Sequence, residues 1–407
     1  MIISNLFAII NKDIFLLLAS LLLAGYLFGL LVKLIKLPRV TGYIIAGVLL
    51  GPSIVNLFNE KSISQLNLIP QLALGIIALI IGAGLSFTLI KKLGFQVILI
   101  TILQALGAFL LVFFILLFFK MPLGAILPLA AIATATDPAA TLAVIKEYRA
   151  RGTLTETVMA VVALDDAVAI ILFGLVLTID LRHLSAFGET ALHSLSLSLM
   201  EILGALVVGI VLGLIAHLLI KLTKEASDSL IVILALVLLA IGLASISNIS
   251  ALLTNMFLGL TLINISSKNS ELVDNLGKIT PPIYCFFFVL SGASLHLGVF
   301  THAGTTLIIW GIGFILMRIF GKILGAYLGG TLSGAPDPIR KFLGLTLIPQ
   351  AGVAVGLPLM ITAASSFYEF RPLIVNITLV AVAFNVIIGP VATKIALFKA
   401  NEATAEE

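Results

Sequence analysis

Apolar residues run along this chain in blocks of about twenty, separated by short groups of charged, Gly, Pro and Asn residues. Cutting at those groups leaves about thirteen stretches: 13–36, 39–58, 67–90, 95–119, 122–147, 153–180, 189–222, 228–246, 248–266, 278–300, 302–331, 339–366 and 371–398. A helix needs about 20 mostly apolar residues to cross the hydrocarbon core of a bilayer, so each stretch is predicted to span it. The other spanning architecture, a β-barrel, requires ten-residue blocks of alternating polarity, and the sequence has no such alternation. The expectation is an all-α integral membrane protein with about thirteen transmembrane helices.

Composition agrees. Of 407 residues, 61% are hydrophobic and 10% charged, with mean hydropathy +1.25, whereas a water-soluble globule carries about a quarter charged residues. Charge placement tests the helix count independently. If successive helices alternate in direction, one side collects Lys33, Lys36, Arg39, Lys91, Lys92, Lys146, Arg149, Arg151, Lys221, Lys224, Lys268, Lys278, Arg340, Lys341, Lys394 and Lys399. The other side holds only Lys12, Lys61, Lys120, Arg182 and Arg371. The positive-inside rule makes the richer side cytoplasmic, which predicts a cell inner membrane location with the N-terminus outside and the C-terminus inside. The net charge of +4 is then a topology signal, with no nucleic acid implied. The first stretch lacks the short apolar core and small-residue cleavage site of a signal peptide and is expected to be retained. Cys285 is the sole cysteine, which excludes an intrachain disulfide and a Cys-based metal cluster. No soluble domain and no Walker-type glycine loop is seen, so neither enzymatic activity nor ATP drive is expected, and no cofactor.

Five charges remain that topology does not absorb. Arg318 and Lys322 fall inside stretch 302–331, and Asp137, Asp165 and Asp166 lie near the middles of 122–147 and 153–180. Each central charge costs roughly 2.5–3.5 kcal/mol on insertion scales, so an unpaired set would cost on the order of 12–18 kcal/mol, comparable to a domain's whole stability. They must pair with one another or face a wet cavity. A structural salt bridge within the bundle is one reading, and an ion or proton pathway is the other.

Local chemistry narrows the geometry. In Ala-Thr-Asp137-Pro138, Asp137 occupies an N-cap position and Pro138 the first turn of a new helical segment, so the stretch 122–147 is predicted to break at bilayer depth. A matching break is expected at Ile348-Pro-Gln-Ala-Gly352 in 339–366. Unwound backbone survives at that depth only where it is buried or lines a cavity, and paired discontinuous helices mark transporter ion sites. The two broken stretches run in opposite directions as the middle members of two helix triples, the outline of an inverted repeat. Where such helices cross, partly positive N-ends and partly negative C-ends face each other. Asp137 can serve the N-ends, and Lys322 or Arg318 the C-ends or the aspartates. Asp165 and Asp166 point about 100° apart on a helix, so one can pair while the other binds. Lys322 is favoured as the proton-exchanging partner because arginine stays charged, while Arg318, one turn away, can pair structurally or snorkel. A hard cation takes oxygen ligands, and Thr136, backbone carbonyls at the breaks and Gln350 are further candidates.

Thr134-Ala-Thr-Asp-Pro-Ala-Ala-Thr-Leu-Ala-Val-Ile-Lys146 and Ala163-Leu-Asp-Asp-Ala-Val-Ala169 resemble the paired ion-site motifs of the monovalent cation:proton antiporter superfamily. Gly42-Tyr-Ile-Ile-Ala-Gly-Val-Leu-Leu-Gly-Pro52, Phe287-Phe-Val-Leu-Ser-Gly-Ala-Ser294, Gly321-Lys-Ile-Leu-Gly-Ala326 and Leu347-Ile-Pro-Gln-Ala-Gly-Val353 are similar to its Kef- and NapA-like branch. The resemblance implies an inverted-repeat antiporter fold with two crossed discontinuous helices and a homodimer. It implies a core of about 67–180 and 302–398 that carries the ion in an elevator-like movement, and a dimerisation scaffold of about 13–58 and 189–300. It implies that Asp166 is the main cation and proton carboxylate, that Asp165 bridges to Lys322, and that two-aspartate members are typically electrogenic. The chain departs from the Kef subgroup in ending after its membrane helices, which argues against ligand gating.

Rival classes fit less well. An intramembrane aspartyl protease places its aspartates on separate helices in Tyr-Asp and Gly-x-Gly-Asp settings, which are missing. A channel would need a selectivity pattern such as Thr-Val-Gly-Tyr-Gly, also missing. A sodium-coupled symporter of an organic anion could share the fold without needing Lys322 or both aspartates, and it is the alternative carried forward. Gly321, Gly325 and Gly329, four apart, read as a packing stripe.

Overall fold

A backbone in lipid has no water to bond, so it must satisfy its own N–H and C=O groups, and the apolar stretches do this as helices. The computed structural model describes residues 11, 13–66, 68–85, 87–177, 187–222, 226–247, 249–265, 269–294, 305–361 and 367–404, and every regular element among them is helical. In order these are α1 (Ile14–Leu34), α2 (Arg39–Leu50), α3 (Glu60–Gln65), α4 (Leu68–Ala83), α5 (Phe87–Phe118), α6 (Leu123–Ile132), α7 (Pro138–Glu147), α8 (Thr153–Leu177), α9 (Phe187–Leu222) and α10 (Ala226–Ser247). There follow α11 (Ala251–Ile265), α12 (Asn269–Ala293), α13 (Thr305–Leu332), α14 (Asp337–Thr346), α15 (Gly352–Gly356), two 3-10 turns at Leu357–Met360 and Tyr368–Phe370, and α16 (Arg371–Lys399). Seven described helices are long and apolar enough to cross a membrane, and shorter apolar helices accompany them.

Boundaries depart from the expected stretches where chemistry is local. The segment predicted to span 39–58 leaves the helix at Leu50, because Gly51 and Pro52 follow, and the short polar α3 comes next. The helix predicted at 95–119 begins eight residues earlier, at Phe87, and so takes in Lys91 and Lys92. Lys12, Arg182, Lys224 and Lys268, used above for the charge count, lie outside the described residues.

The chain forms two compact units. The first comprises Met1–Phe87 and Leu203–Leu297, the second Thr88–Ile202 and Gly298–Glu407. The stretch 67–90, grouped above with the ion-carrying core, contributes α4 to the first unit, where it packs closely along α11. A methyl added to Gly82 would lie 1.8 Å from the Met256 carbonyl oxygen, and one on Gly259 would lie 2.0 Å from that of Leu79. Backbone-to-backbone contact of this kind is how helices associate in lipid, where apolar burial gives no driving force. The α2–α12 pair uses the same device, with Gly47 against Val289 and Gly292 against Ile44.

In the second unit the glycine stripe on α13 faces α5. Gly321 meets Gly107, Gly325 meets Leu103 and Gln104, and Gly329 meets Ile100. Lys322 on α13 and Gln104 on α5 both reach the same carboxylate, Asp165. Gly321→Ala places a methyl 2.5 Å from the Gly107 carbonyl oxygen. We expect it to destabilise the detergent-solubilised protein by about 1–3 kcal/mol, the usual cost of overpacking, measured as a fall in thermal midpoint. Gly94→Ala, where nothing lies within 4 Å, is the control and should leave the midpoint unchanged.

Candidate functional site

Two helices of the second unit are interrupted where Pro and polar residues interrupt the apolar pattern. The first stops at Ile132 and resumes at Pro138; the second stops at Thr346 and resumes at Gly352. A helix that stops in mid-span leaves its last carbonyls and first N–H groups without partners, and burial makes each costly.

The orphan groups are satisfied by named side chains. At the first break the Thr134 carbonyl accepts from Lys322 Nζ, the Ala135 carbonyl accepts from Arg318 Nη2 at 2.7 Å, and the Ile132 carbonyl accepts from Gln350 Nε2 at 3.0 Å. At the second, the Ile348 carbonyl accepts from Arg318 Nη1 at 2.7 Å, and the Thr346 carbonyl from the Thr141 hydroxyl at 3.0 Å. The backbones also meet directly, the Asp137 N–H donating to the Pro349 carbonyl at 2.9 Å. On the N-terminal side, Asp137 Oδ1 caps α7 by accepting from the Ala139 N–H at 3.0 Å, as its N-cap position predicts. Arg318 thus spans both breaks with one rigid fork, a task that suits guanidinium better than ammonium.

The two neighbouring aspartates have opposite environments. Asp165 Oδ2 pairs with Lys322 Nζ at 2.8 Å and accepts from the Thr136 hydroxyl, and its Oδ1 accepts from Gln104 Nε2. Lys322 in turn places its three protons on Asp165, the Thr136 oxygen at 2.8 Å and the Thr134 carbonyl, so its donors are fully used. Asp166 is as deeply buried, yet neither of its carboxyl oxygens receives a hydrogen bond among the described residues. Asp137 Oδ2 is buried without a partner as well, as is Gln104 Oε1. Asp165, Asp137 and Lys322 are all close enough to Asp166 to act on it electrostatically.

Of the two basic residues left open by the sequence, Lys322 is the one on Asp165, and Arg318 serves backbone oxygens. Thr136 is engaged between Lys322 and Asp165. Gln350 lies in the second break and is held by Asn385 Nδ2 at 2.9 Å. Gln104 and Asn385 were not anticipated. Each is the more central of the two amides on its helix, the other being Gln96 on α5 and Asn376 on α16, and that mid-helix position was the available signal, although amides carry no formal charge to force attention.

The arrangement is a buried carboxylate with free oxygens beside a saturated carboxylate–ammonium pair. Hard cations and protons are the species that bare carboxylate oxygens accept in such a setting.

A family model described as sodium/hydrogen exchanger, transmembrane, matches residues 18–399. Two solved structures of the sodium proton antiporter MjNhaP1 from Methanocaldococcus jannaschii share the fold. The structure determined at pH 8 aligns with TM-score 0.69 at 19% identity, covering 94% of this chain and 97% of that one. The electron-microscopy structure aligns with TM-score 0.68 at 20% identity, covering 94% of each. No curated protein sequence matches the chain.

Proposed function

The chain belongs to the sodium/hydrogen exchanger family, and we propose that it exchanges a monovalent cation, Na+ or its neighbours Li+ and K+, for protons at Asp166. The observation that carries this reading is the split between the aspartates: Asp165 has both oxygens occupied, whereas Asp166 is buried with neither oxygen bonded among the described residues. Protons and cations then compete for the same two oxygens, so occupancy follows pH and ion concentration, and exchange needs no second site. Asp137 supplies a further free carboxyl oxygen, and backbone carbonyls at the breaks and water complete an oxygen cage. The protein is a multi-pass transporter and not an enzyme.

Lys322 gives the reading its stoichiometry. Its ammonium neutralises Asp165 while Asp166 holds a proton. When a cation adds positive charge beside it, Lys322 can surrender its own proton, as buried lysines do and arginines do not. Two protons then leave for one cation, and the cycle is electrogenic. The Asp165–Asp166 pair supports the Kef- and NapA-like branch. We further propose that the second unit, which holds the entire site, is the ion carrier, that the protein is a homodimer, and that it lies in the inner membrane with its C-terminus cytoplasmic, as the sixteen-to-five charge bias indicates.

The test is a preformed pH gradient across proteoliposomes challenged with Na+, Li+ and K+. One of the three should dissipate it, at a rate that responds to an imposed membrane potential. A gradient that none of them moves overturns exchange and favours the symporter, and a rate indifferent to potential overturns electrogenicity alone.

A further inference from the structure

The helix that carries both aspartates begins at a glutamate from the far end of the chain. Glu402, just beyond α16, accepts from the Leu154 N–H on Oε1 and from the Thr155 N–H on Oε2, both at 2.7 Å, and from the Thr155 hydroxyl at 2.8 Å. These are first-turn donors of α8, the groups that a helix leaves unsatisfied and that a carboxylate satisfies best. The backbone repeats the attachment: the Arg151 N–H donates to the Glu402 carbonyl at 2.9 Å, and the Thr404 N–H to the Tyr148 carbonyl at 3.2 Å. Around it, Tyr148 packs edge-on against Phe398 with ring centres 5.3 Å apart, and Lys394 Nζ sits 4.9 Å over the Tyr148 ring.

One backbone position makes room for this contact: Gly152 takes φ +153°, and a methyl there would lie 2.3 Å from Glu402 Cδ. The positive φ at Arg149 and Asn401, 48° and 57°, belongs to the left-handed caps that end α7 and α16. The residue just before α8 is Gly152, which has no side chain to cap the helix, so its first-turn donors depend on the carboxylate brought by the tail, and the glycine leaves that carboxylate its space.

We propose that Glu402 is a positioning residue for the ion site: the tail clasps the α7–α8 turn, fixing the axial position of α8 and therefore of Asp165 and Asp166 relative to the first helix break. The path is short and rigid. Asp165 lies eleven residues past Leu154, about 16 Å of helix rise, and α7 enters the same turn from the break at Asp137. One clasp thus holds the segments that bring Asp137 from one side and Asp166 from the other. This rests on the exchange reading above and deepens it.

The experiment compares the apparent cation KM of the parent, Glu402→Gln, Gly152→Ala and the double variant in proteoliposomes containing equal amounts of folded protein. Glu402→Gln keeps the shape but removes the charge and one acceptor oxygen; Gly152→Ala displaces the glutamate without touching the tail. Each should raise KM about three- to tenfold with little change in maximal rate, and the double should be no worse than either single variant, because both break one contact. Glu402→Asp, which can still accept one N–H as an anion, should recover part of the affinity. Hydrogen exchange at the first turn of α8 should speed up in step with KM. If KM is unchanged while the parent exchanges normally, or if the two single effects add, the clasp does not position the site. A parent that moves no protons with any cation overturns the exchange reading and this inference with it, which separates the two failures.

Discussion

Asp166→Asn is expected to abolish cation-driven proton movement, a loss of at least about a hundredfold in rate, while leaving the folded protein intact. The amide is nearly isosteric but cannot hold a proton at one moment and a cation's charge at the next, which is the whole of the proposed cycle. Because no hydrogen bond from the described residues ends on the Asp166 carboxyl, the substitution removes no partner's acceptor, and a carboxylate's burial cost disappears with it. The thermal midpoint should therefore hold or rise as transport vanishes. This combination is diagnostic. Asp165→Asn should behave otherwise, since three donors end on that carboxyl. Loss of exchange in both with stability lost only in Asp165→Asn would confirm the division of labour; retained exchange in Asp166→Asn would overturn it.

Lys322→Met should be the most destabilising single change in the site. It leaves Asp165 buried as an uncompensated charge, and removing one member of a buried pair costs about 3–5 kcal/mol. It also frees the Thr134 carbonyl at the first break. The double variant Asp165→Asn/Lys322→Met removes both charges and should recover most of that loss, because the pair's Coulomb gain and its desolvation cost largely cancel. With Asp166 intact the double variant should still exchange, but one proton for one cation, so its rate should no longer respond to membrane potential. Unfolding midpoints and potential-dependent flux, measured on the three proteins, check both halves. A double variant as unstable as the single one would mean that Lys322 acts mainly on the backbone.

Both expectations turn on features that were legible in the chain to different degrees. The break before α7 was readable because its cause is local: an Asp that caps, a Pro that fits a first turn, and five residues in which to see both. The glycine stripe at 321, 325 and 329 was readable because helical period places those residues on one face. The buried charges were conspicuous because the surrounding apolar pattern leaves them nowhere to hide.

The choice between Arg318 and Lys322 was of another kind. They stand four apart on one helix face and share a charge; the readier proton loss of lysine favours Lys322, but no local rule says which oxygens each one meets. Their partners, Ala135, Ile348, Thr134 and Asp165, come from segments 30 to 188 residues away. Gln104 and Asn385 were passed over for the same reason, since an amide's importance depends on what it meets. Glu402 read as part of a polar tail, and only folding brings it to the first turn of α8, 248 residues earlier.

By itself, then, the sequence determined that the chain is an all-helical membrane protein, where two of its helices break and which charges must be accommodated inside, because solvent transfer, helix capping and period are short-range effects. Only the tertiary structure decided which carboxylate is saturated and which is free, because that depends on pairing between segments distant in the chain, where the cost of an unsatisfied buried group selects one arrangement among several that local chemistry permits.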